Sequence, residues 1–455
     1  MRKRVWRIWK DNVLLSAVYL EERFWSAPFK RGLIKSHPIV HVVLPVPPRS
    51  RPAKGRVFPP QPVAPEACKT QRREINLTSL LGEIRYKRWC YRHDECQCDH
   101  APIDLGLGRI RSVTGGVASL IGHMMAESPP RRVEKKLTRD HGIQLSVSTV
   151  DNIAKMIGER LNELQKLKEA QLLEPISPDR PSPPTEPVPK GQAHVTEVDA
   201  VKVRFVKEEG GWHDAKVGLC DRLGDKPDVK TGIRPMVGPR RYVAEMTNAE
   251  SFAPRLKALG FETGIRNAEE SLFLGDGAEW IDNIAQNDFA WSTRILDPYH
   301  VDEHLYKAAY ALHGEGSMEG KAMAENMSDC FYLEGGVDKV CAELKRAQEQ
   351  IATSDEGKRK IIQLVHDYID RHRDALNYKQ FREYGWIIGS GAVEGGGCKT
   401  FIEGRFKLAG QAWTKDGFHK ILAVRQADES DQWDKVLDAL HIYPSRKPRS
   451  IIRAA

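Results

Sequence analysis

Three acidic side chains set the chemistry this chain could perform: Asp199, Asp276 and Glu394. Asp199 follows Val198 in an apolar alternating stretch, where a carboxylate is expensive to bury unless it meets a cation or a partner. Asp276 closes the apolar run Ser271-Leu272-Phe273-Leu274 and sits between Gly275 and Gly277. That is the carboxyl end of a predicted strand, where functional groups gather in α/β sheets. Glu394 follows Gly389-Ser390-Gly391-Ala392-Val393 and precedes three more glycines, read as a turn into a helix. Carboxylate oxygens are hard ligands that suit Mg²⁺ or Mn²⁺. Two such ions about 3.5–4 Å apart can activate an oxygen nucleophile and stabilise the leaving oxygen at a phosphodiester. Lys399, Arg405 and Lys407 follow closely and could hold phosphates. Taken singly, each acid is as well explained as a turn cap or a surface group; their order on this strand pattern carries the reading.

A second cluster is Cys90, His93, Cys96, Cys98 and His100, with Cys68 further upstream. Thiolate and imidazole are good zinc ligands, and four of them, Cys90, His93, Cys96 and Cys98, could fill a tetrahedral site. Cys90-x2-His93 is regularly spaced, but Cys96-x-Cys98 is tighter than the usual gap. A set of free cysteines stays open as the alternative.

The elements that must position these residues follow from composition and periodicity. The chain has 455 residues, 40% hydrophobic and 29% charged, a globular composition of roughly two to four domains. Its longest apolar run near the start, Val13–Leu20, falls far short of the about 20 residues a bilayer span needs. Glu21, Glu22 and Arg23 follow it with no small-residue cleavage site, so no secretory signal is expected. Eight cysteines make no disulfide framework, which fits a reducing cytoplasm. Residues 1–60 hold 13 basic and 3 acidic side chains, and the remainder 57 against 59. The basic pI therefore reflects an N-terminal arm and not a uniformly basic body.

Nine prolines in 38–65 and seven in 175–189 cut the chain, because proline lacks a backbone donor and fixes φ. The reading is a basic, Pro-rich, disordered arm over 1–65, a Cys/His-rich segment over 66–110, and a small helical domain over 111–170. A Pro-rich linker over 171–193 leads into an α/β core over 194–300, a helical stretch over 301–385, and a return to the core over 386–455. In 111–170, Arg131, Arg132, Lys135 and Lys136 lie on a basic helix after Pro129-Pro130. Gly142 supplies a turn, and Ser148 with Asp151 reads as the capping pair of a second helix. Val150, Ile153, Ile157, Leu161 and Leu164 then mark one apolar stripe. That is the helix-turn-helix pattern, or equally a plain helical hairpin. In the α/β part, strands are expected at His194–Val206, around Ala215–Leu219, at Tyr242–Met246, at Ser271–Asp276 and at Ala290–Leu296. A helix over Ala249–Leu259 is expected to close at Gly260.

Four motifs in this order carry a family resemblance: Val198-Asp199; Leu274-Gly275-Asp276-Gly277-Ala278-Glu279-Trp280-Ile281; Leu296-Asp297-Pro298-Tyr299-His300; and Gly389-Ser390-Gly391-Ala392-Val393-Glu394 through Arg405, Lys407, Gly410 and Trp413. Over about residues 75–430 the chain resembles DDE transposases of bacterial insertion sequences, of the Kra-type group related to the Mutator-like superfamily. Pro102-Ile103-Asp104 stands where the family has a Pro-Leu-Asp-like segment. The resemblance implies an RNase H-like core with an all-helical insertion, preceded by the helix-turn-helix domain and the Cys/His-rich segment. It implies Asp199, Asp276 and Glu394 as catalytic residues binding two Mg²⁺, with Asp297 and His300 in support. It implies a cytoplasmic, nucleoid-associated enzyme that binds double-stranded DNA, both terminal inverted repeats and target, as a dimer or larger assembly. The DNA contacts would come from Arg131, Arg132, Lys135, Lys136, Lys399, Arg405 and Lys407. A DNA-binding regulator derived from a transposase, and an RNase H-like nuclease without strand transfer, are the alternatives.

Overall fold

The computed structural model describes residues 40–41, 68–93, 99–175 and 184–441. The expectations for the 1–65 arm other than Val40–His41, for Cys96 and Cys98, and for 176–183 lie outside the described residues. The chain folds as two compact units of mixed α/β structure. The first comprises the described residues up to Leu164 with Lys420–Asp428 and those from Gln432 on; the second comprises Gln165–His419 with Glu429–Asp431. No helix among the described residues is long and apolar enough to cross a membrane.

In the first unit, the short strand β1 (Val40–His41) runs parallel to β3, and β2 (Cys68–Ser79) pairs antiparallel with β3 (Gly82–His93) in a tight hairpin. A two-residue strand β4 (Asp99–His100) pairs with the far end of β3. The cysteine and histidine spacing predicts a ligand-bearing segment here; the chain instead forms a hairpin. Its alternation is present in Ile75 and Leu77, opposite Tyr86 and Ile84, and Leu77, Tyr86 and Cys90 are buried. Asp104 anchors that inner face: its carboxylate accepts from Tyr86 Oη at 2.7 Å and pairs with Arg88 and Arg109.

Helices follow at Gly115–Glu127 and Pro130–His141. Pro130 opens the second of these, and Gly142 closes it in the left-handed conformation, φ 66°. The next helix, Val147–Leu173, is capped not by Ser148 but by Ser146, whose Oγ accepts from Thr149 N at 3.1 Å. Asp151 bonds Lys155 one turn on instead of closing a capping box. Val150, Ile153, Ile157 and Leu161 are buried as one stripe. Gly158 lies in it because a Cβ there would stand 1.8 Å from the Lys420 carbonyl oxygen.

The second unit is built on a five-stranded sheet of order β7-β6-β5-β8-β9, comprising β5 (Ala193–Arg204), β6 (Trp212–Leu223), β7 (Arg241–Glu245), β8 (Glu270–Gly275) and β9 (Thr293–Leu296). β5, β6 and β7 are antiparallel, while β8 and β9 add in parallel beside β5. Successive strand side chains point to opposite faces, so parity assigns each residue a side. Val198 and Phe273 face helices Ala249–Glu262 and Glu279–Asp288, with Phe252, Leu256, Ile281 and Phe289 in one core. Ala193, Val195, Leu272 and Leu274 face the opposite way, into a core filled by helices Pro298–His313, Met318–Cys330, Gly336–Gln350 and Glu356–Arg371. The helix expected to stop at Gly260 runs on to Glu262 and ends at Gly264, φ 90°. A Cβ at Gly264 would stand 2.2 Å from the Glu186 carbonyl, because Glu186 N donates to Glu262 O and docks the end of the proline-rich segment on the helix terminus.

Candidate active site

Asp199 lies in β5, and Asp276 is the first residue past the end of the adjacent parallel strand β8. The register pairs Glu197 with Leu274, which brings Asp199 level with Asp276 two residues on, and both share parity with the residues facing the helical core. Each is half-buried. Asp199 Oδ1 accepts from Ala200 N at 2.6 Å, and Oδ2 accepts from Cys398 Sγ at 3.4 Å. Burial raises the Asp199 carboxyl above the ordinary aspartate range and the negative charge of Asp276 adds to the rise, while the Ala200 and Cys398 donors and His300 oppose it. Two carboxylates that repel each other in a desolvated place favour a cation between them.

The Asp276 turn is fixed from both sides. Asp276 Oδ1 accepts from Ala278 N at 2.8 Å, and its backbone carbonyl accepts from Tyr368 Oη at 3.1 Å. Gly277, φ 79°, leaves room for that phenol, since a Cβ would stand 2.6 Å from it. Tyr368 is held in turn by stacking on His304, centroids 4.1 Å apart, and by the edge of His372. His372 is fully enclosed, its Nε2 2.7 Å from Asp282 Oδ2, and Asp282 also pairs with Arg294.

Asp297 joins two distant segments. Its Oδ1 accepts from Tyr299 N and His300 N at the start of helix Pro298–His313; its Oδ2 accepts from Ser390 N at 2.6 Å and Ser390 Oγ at 2.8 Å. His300 is half-buried and lies close enough to Asp199 to oppose the rise in its pKa.

Glu394 lies on the helix Ala392–Glu403, wound as a π-helix, so the glycines at 395–397 are within the helix and not in a turn before it. Gly396 and Gly397 are where this helix meets the sheet: a Cβ at the first would stand 2.7 Å from Tyr242 Oη, and at the second 2.9 Å from Val217 Cγ1. Cys398 on the same helix reaches Asp199. Glu394 itself is exposed, and its carboxylate is bonded to Lys399 Nζ at 2.6 Å. Among the described residues no group of three His, Cys, Asp or Glu side chains is gathered as a metal ion would require. The structure thus brings Asp199 and Asp276 together and holds Glu394 nearby, on the helix that touches Asp199, bonded to a lysine. The chemistry of the donors fits a hard divalent cation, since all three are carboxylates, but only Asp199 and Asp276 stand near each other here.

A fourth acid escaped the sequence reading. Glu197, two residues before Asp199 and so on the same face, is wholly buried; Oε2 accepts from Val393 N at 2.8 Å, and Oε1 has no hydrogen-bond partner among the described residues. Burial pushes its pKa up to about 7. It binds β5 to the residue before Glu394. Its only signal was an acid at period two from Asp199 within an apolar strand.

Of the cations, Arg131, Arg132 and Lys135 are exposed on helix Pro130–His141, and Lys136 is half-buried. Lys407 pairs with Glu403 at 2.5 Å. Arg405 requires a correction: it is fully buried, its guanidinium 5.0 Å from the Trp413 ring centroid, so it is a core residue and not a surface contact for phosphate. Cys90 is buried in β3 with a free thiol, while Cys96 and Cys98 of the candidate zinc set lie outside the described residues, and nothing is described of the His93 side chain. No protein-family model matches the chain, and no curated protein matches it.

Proposed function

We propose that the chain is a transposase of the DDE type, with an RNase H-like core, that cleaves and transfers DNA strands at terminal inverted repeats as a dimer or larger assembly. One observation carries this reading: Asp199 in β5 and Asp276 just past the end of the neighbouring parallel strand β8 stand close together, and the helix bearing Glu394 docks on that same face through Cys398 and Glu197. Three antiparallel strands followed by two parallel ones, in the order described, are the strand order of an RNase H-like core. Mg²⁺ held by Asp199, Asp276 and Glu394 would activate the oxygen nucleophile and stabilise the leaving oxygen.

The residues divide the remaining work. Ala200 N–H and Cys398 orient Asp199; Ala278 N–H and the Tyr368 phenol orient Asp276. Asp297 holds the start of helix Pro298–His313 and the Ser390 turn at a fixed separation. Glu394 needs only the rotation of one exposed side chain to leave Lys399. A DNA phosphate is the natural replacement partner for that lysine, which couples substrate arrival to release of the third carboxylate.

Asp276→Asn keeps the turn bond to Ala278 N and removes the charge. It is expected to leave DNA binding intact and to abolish Mg²⁺-dependent strand cleavage; a variant that cuts normally overturns the assignment. The Glu394–Lys399 pair favours a second reading, a DNA-binding regulator with an idle core. In that case the unsubstituted chain would bind DNA and cut nothing under any metal.

A further inference from the structure

The hairpin formed by β2 and β3 has two faces of opposite character. Its inner face carries Leu77, Tyr86 and Cys90 into the core of the first unit. Its outer face is made of cross-strand pairs Arg72–Trp89, Glu74–Lys87 and Asn76–Arg85. All six are exposed, and Trp89 keeps 45% of its surface open. The single acid among them, Glu74, serves two cations at long range, Arg85 at 3.6 Å and Lys87 at 3.8 Å. Exposed tryptophan on a charged strand contributes nothing to this unit's core. In the sheet order, β2 forms an edge.

We infer that this ribbon is a DNA-contacting element, its outer face laid on duplex DNA with Arg72, Arg85 and Lys87 on phosphates and Trp89 against the groove. The inference rests on the reading of the chain as a DNA-acting protein. Three features favour duplex DNA. The net charge of the face is positive and therefore complementary to a polyanion. Residues two apart on a strand, such as Arg85 and Lys87, lie about 6.8 Å apart, twice the 3.4 Å per nucleotide along one DNA strand. A two-stranded ribbon also fits the major groove, about 12 Å wide, whereas the deep, narrow groove of RNA excludes it.

The test uses the full chain and a fluorescent random-sequence DNA duplex of about 30 base pairs, in EDTA so that nothing is cut. The variant Arg72→Gln/Arg85→Gln/Lys87→Gln is expected to bind about tenfold or more weakly near 100 mM salt, and the slope of log affinity against log salt is expected to fall by about 2–3. Trp89→Ala is expected to weaken binding with the slope unchanged. Unchanged affinity and slope in the triple variant overturn the inference, as does tighter binding of an RNA duplex of equal length. If the triple variant melts lower than the parent, Arg72→Gln and Lys87→Gln alone decide, each lowering the slope by about 0.9. The outcome is separable from that of the catalytic reading. A ribbon variant that loses binding while Asp276→Asn still cuts sinks only the catalytic assignment; a ribbon variant that binds normally while Asp276→Asn is dead sinks only the ribbon.

Discussion

A phenol that donates to a backbone carbonyl is an unusual support for a carboxylate, and Tyr368 is one. Its hydroxyl fixes the Asp276 peptide while its ring is pinned between His304 and His372. Tyr368→Phe keeps the ring and removes only the donor, leaving a buried carbonyl short of one bond, worth about 1 kcal/mol. On the proposed function, strand cleavage at saturating DNA is expected to slow about tenfold, with DNA affinity unchanged, because about 1.4 kcal/mol of misplacement is a factor of ten in rate. A single-turnover assay reads this directly, and a full rate in the variant would remove Tyr368 from the site. Asp199 and Asp276 could be placed from the sequence because apolar alternation marks a strand, and glycines mark its end. Glu197 and Tyr368 could not. The first is hidden among apolar neighbours, and the second reaches the site from 92 positions away, a distance no local pattern encodes.

At the scale of elements, the glycines of helix Ala392–Glu403 divide by what each meets. A Cβ at Gly395 meets nothing within 4 Å, whereas one at Gly397 meets Val217 at 2.9 Å and Val393 at 3.1 Å. Gly395→Ala is therefore expected to raise stability by about 0.5–1 kcal/mol, the helical gain of alanine over glycine. Gly397→Ala is expected to lower it by about 1–3 kcal/mol by overpacking the sheet contact. Urea denaturation of the two variants separates these signs. The sequence shows a glycine run and nothing of the sheet beside it, which is why the run reads as a turn. Element legibility elsewhere follows the same rule. β5, with Val201, Val203 and Phe205 alternating against Lys202 and Arg204, announces itself. The β2–β3 hairpin does not, because its exposed face is basic and aromatic and its cysteines draw attention to ligand chemistry. Ser146 and Ser148 are both plausible caps in isolation; only the chain's path into the helix selects Ser146.

At the scale of the whole molecule, the largest lowering of an imidazole pKa among the described residues is at His194, which makes it a source of acid sensitivity. The ring is fully enclosed; Nε2 donates to Thr263 Oγ1 at 2.8 Å, the Thr263 hydroxyl donates onward to Leu259 O, and Nδ1 has no partner among the described residues. Burial lowers its pKa to about 3. Above pH about 6.5 the imidazole is neutral both folded and unfolded, so it adds no pH dependence. As pH falls from 6.5 toward 3, the unfolded chain takes up a proton that the folded chain refuses, and stability is lost by an amount on the order of 4 kcal/mol across that window. His194→Gln retains a donor for Thr263 and does not titrate. Its stability at pH 4.5 relative to pH 7.5, from chemical denaturation, is expected to fall less than that of the parent; an equal fall would locate the sensitivity elsewhere.

The grip of Asp297 on Ser390 has a consequence for what the molecule can tolerate. The chain departs at one oxygen of a single carboxylate and comes back to the other 93 residues later, so the whole helical excursion is a closed detour with its entry and exit stapled together. Its helices fill the core over Ala193, Val195, Leu272 and Leu274 and carry Tyr368 to Asp276, so they must stay; only the turns between them can be lengthened at little cost, because closing a longer loop adds only about 0.6 kcal/mol per doubling.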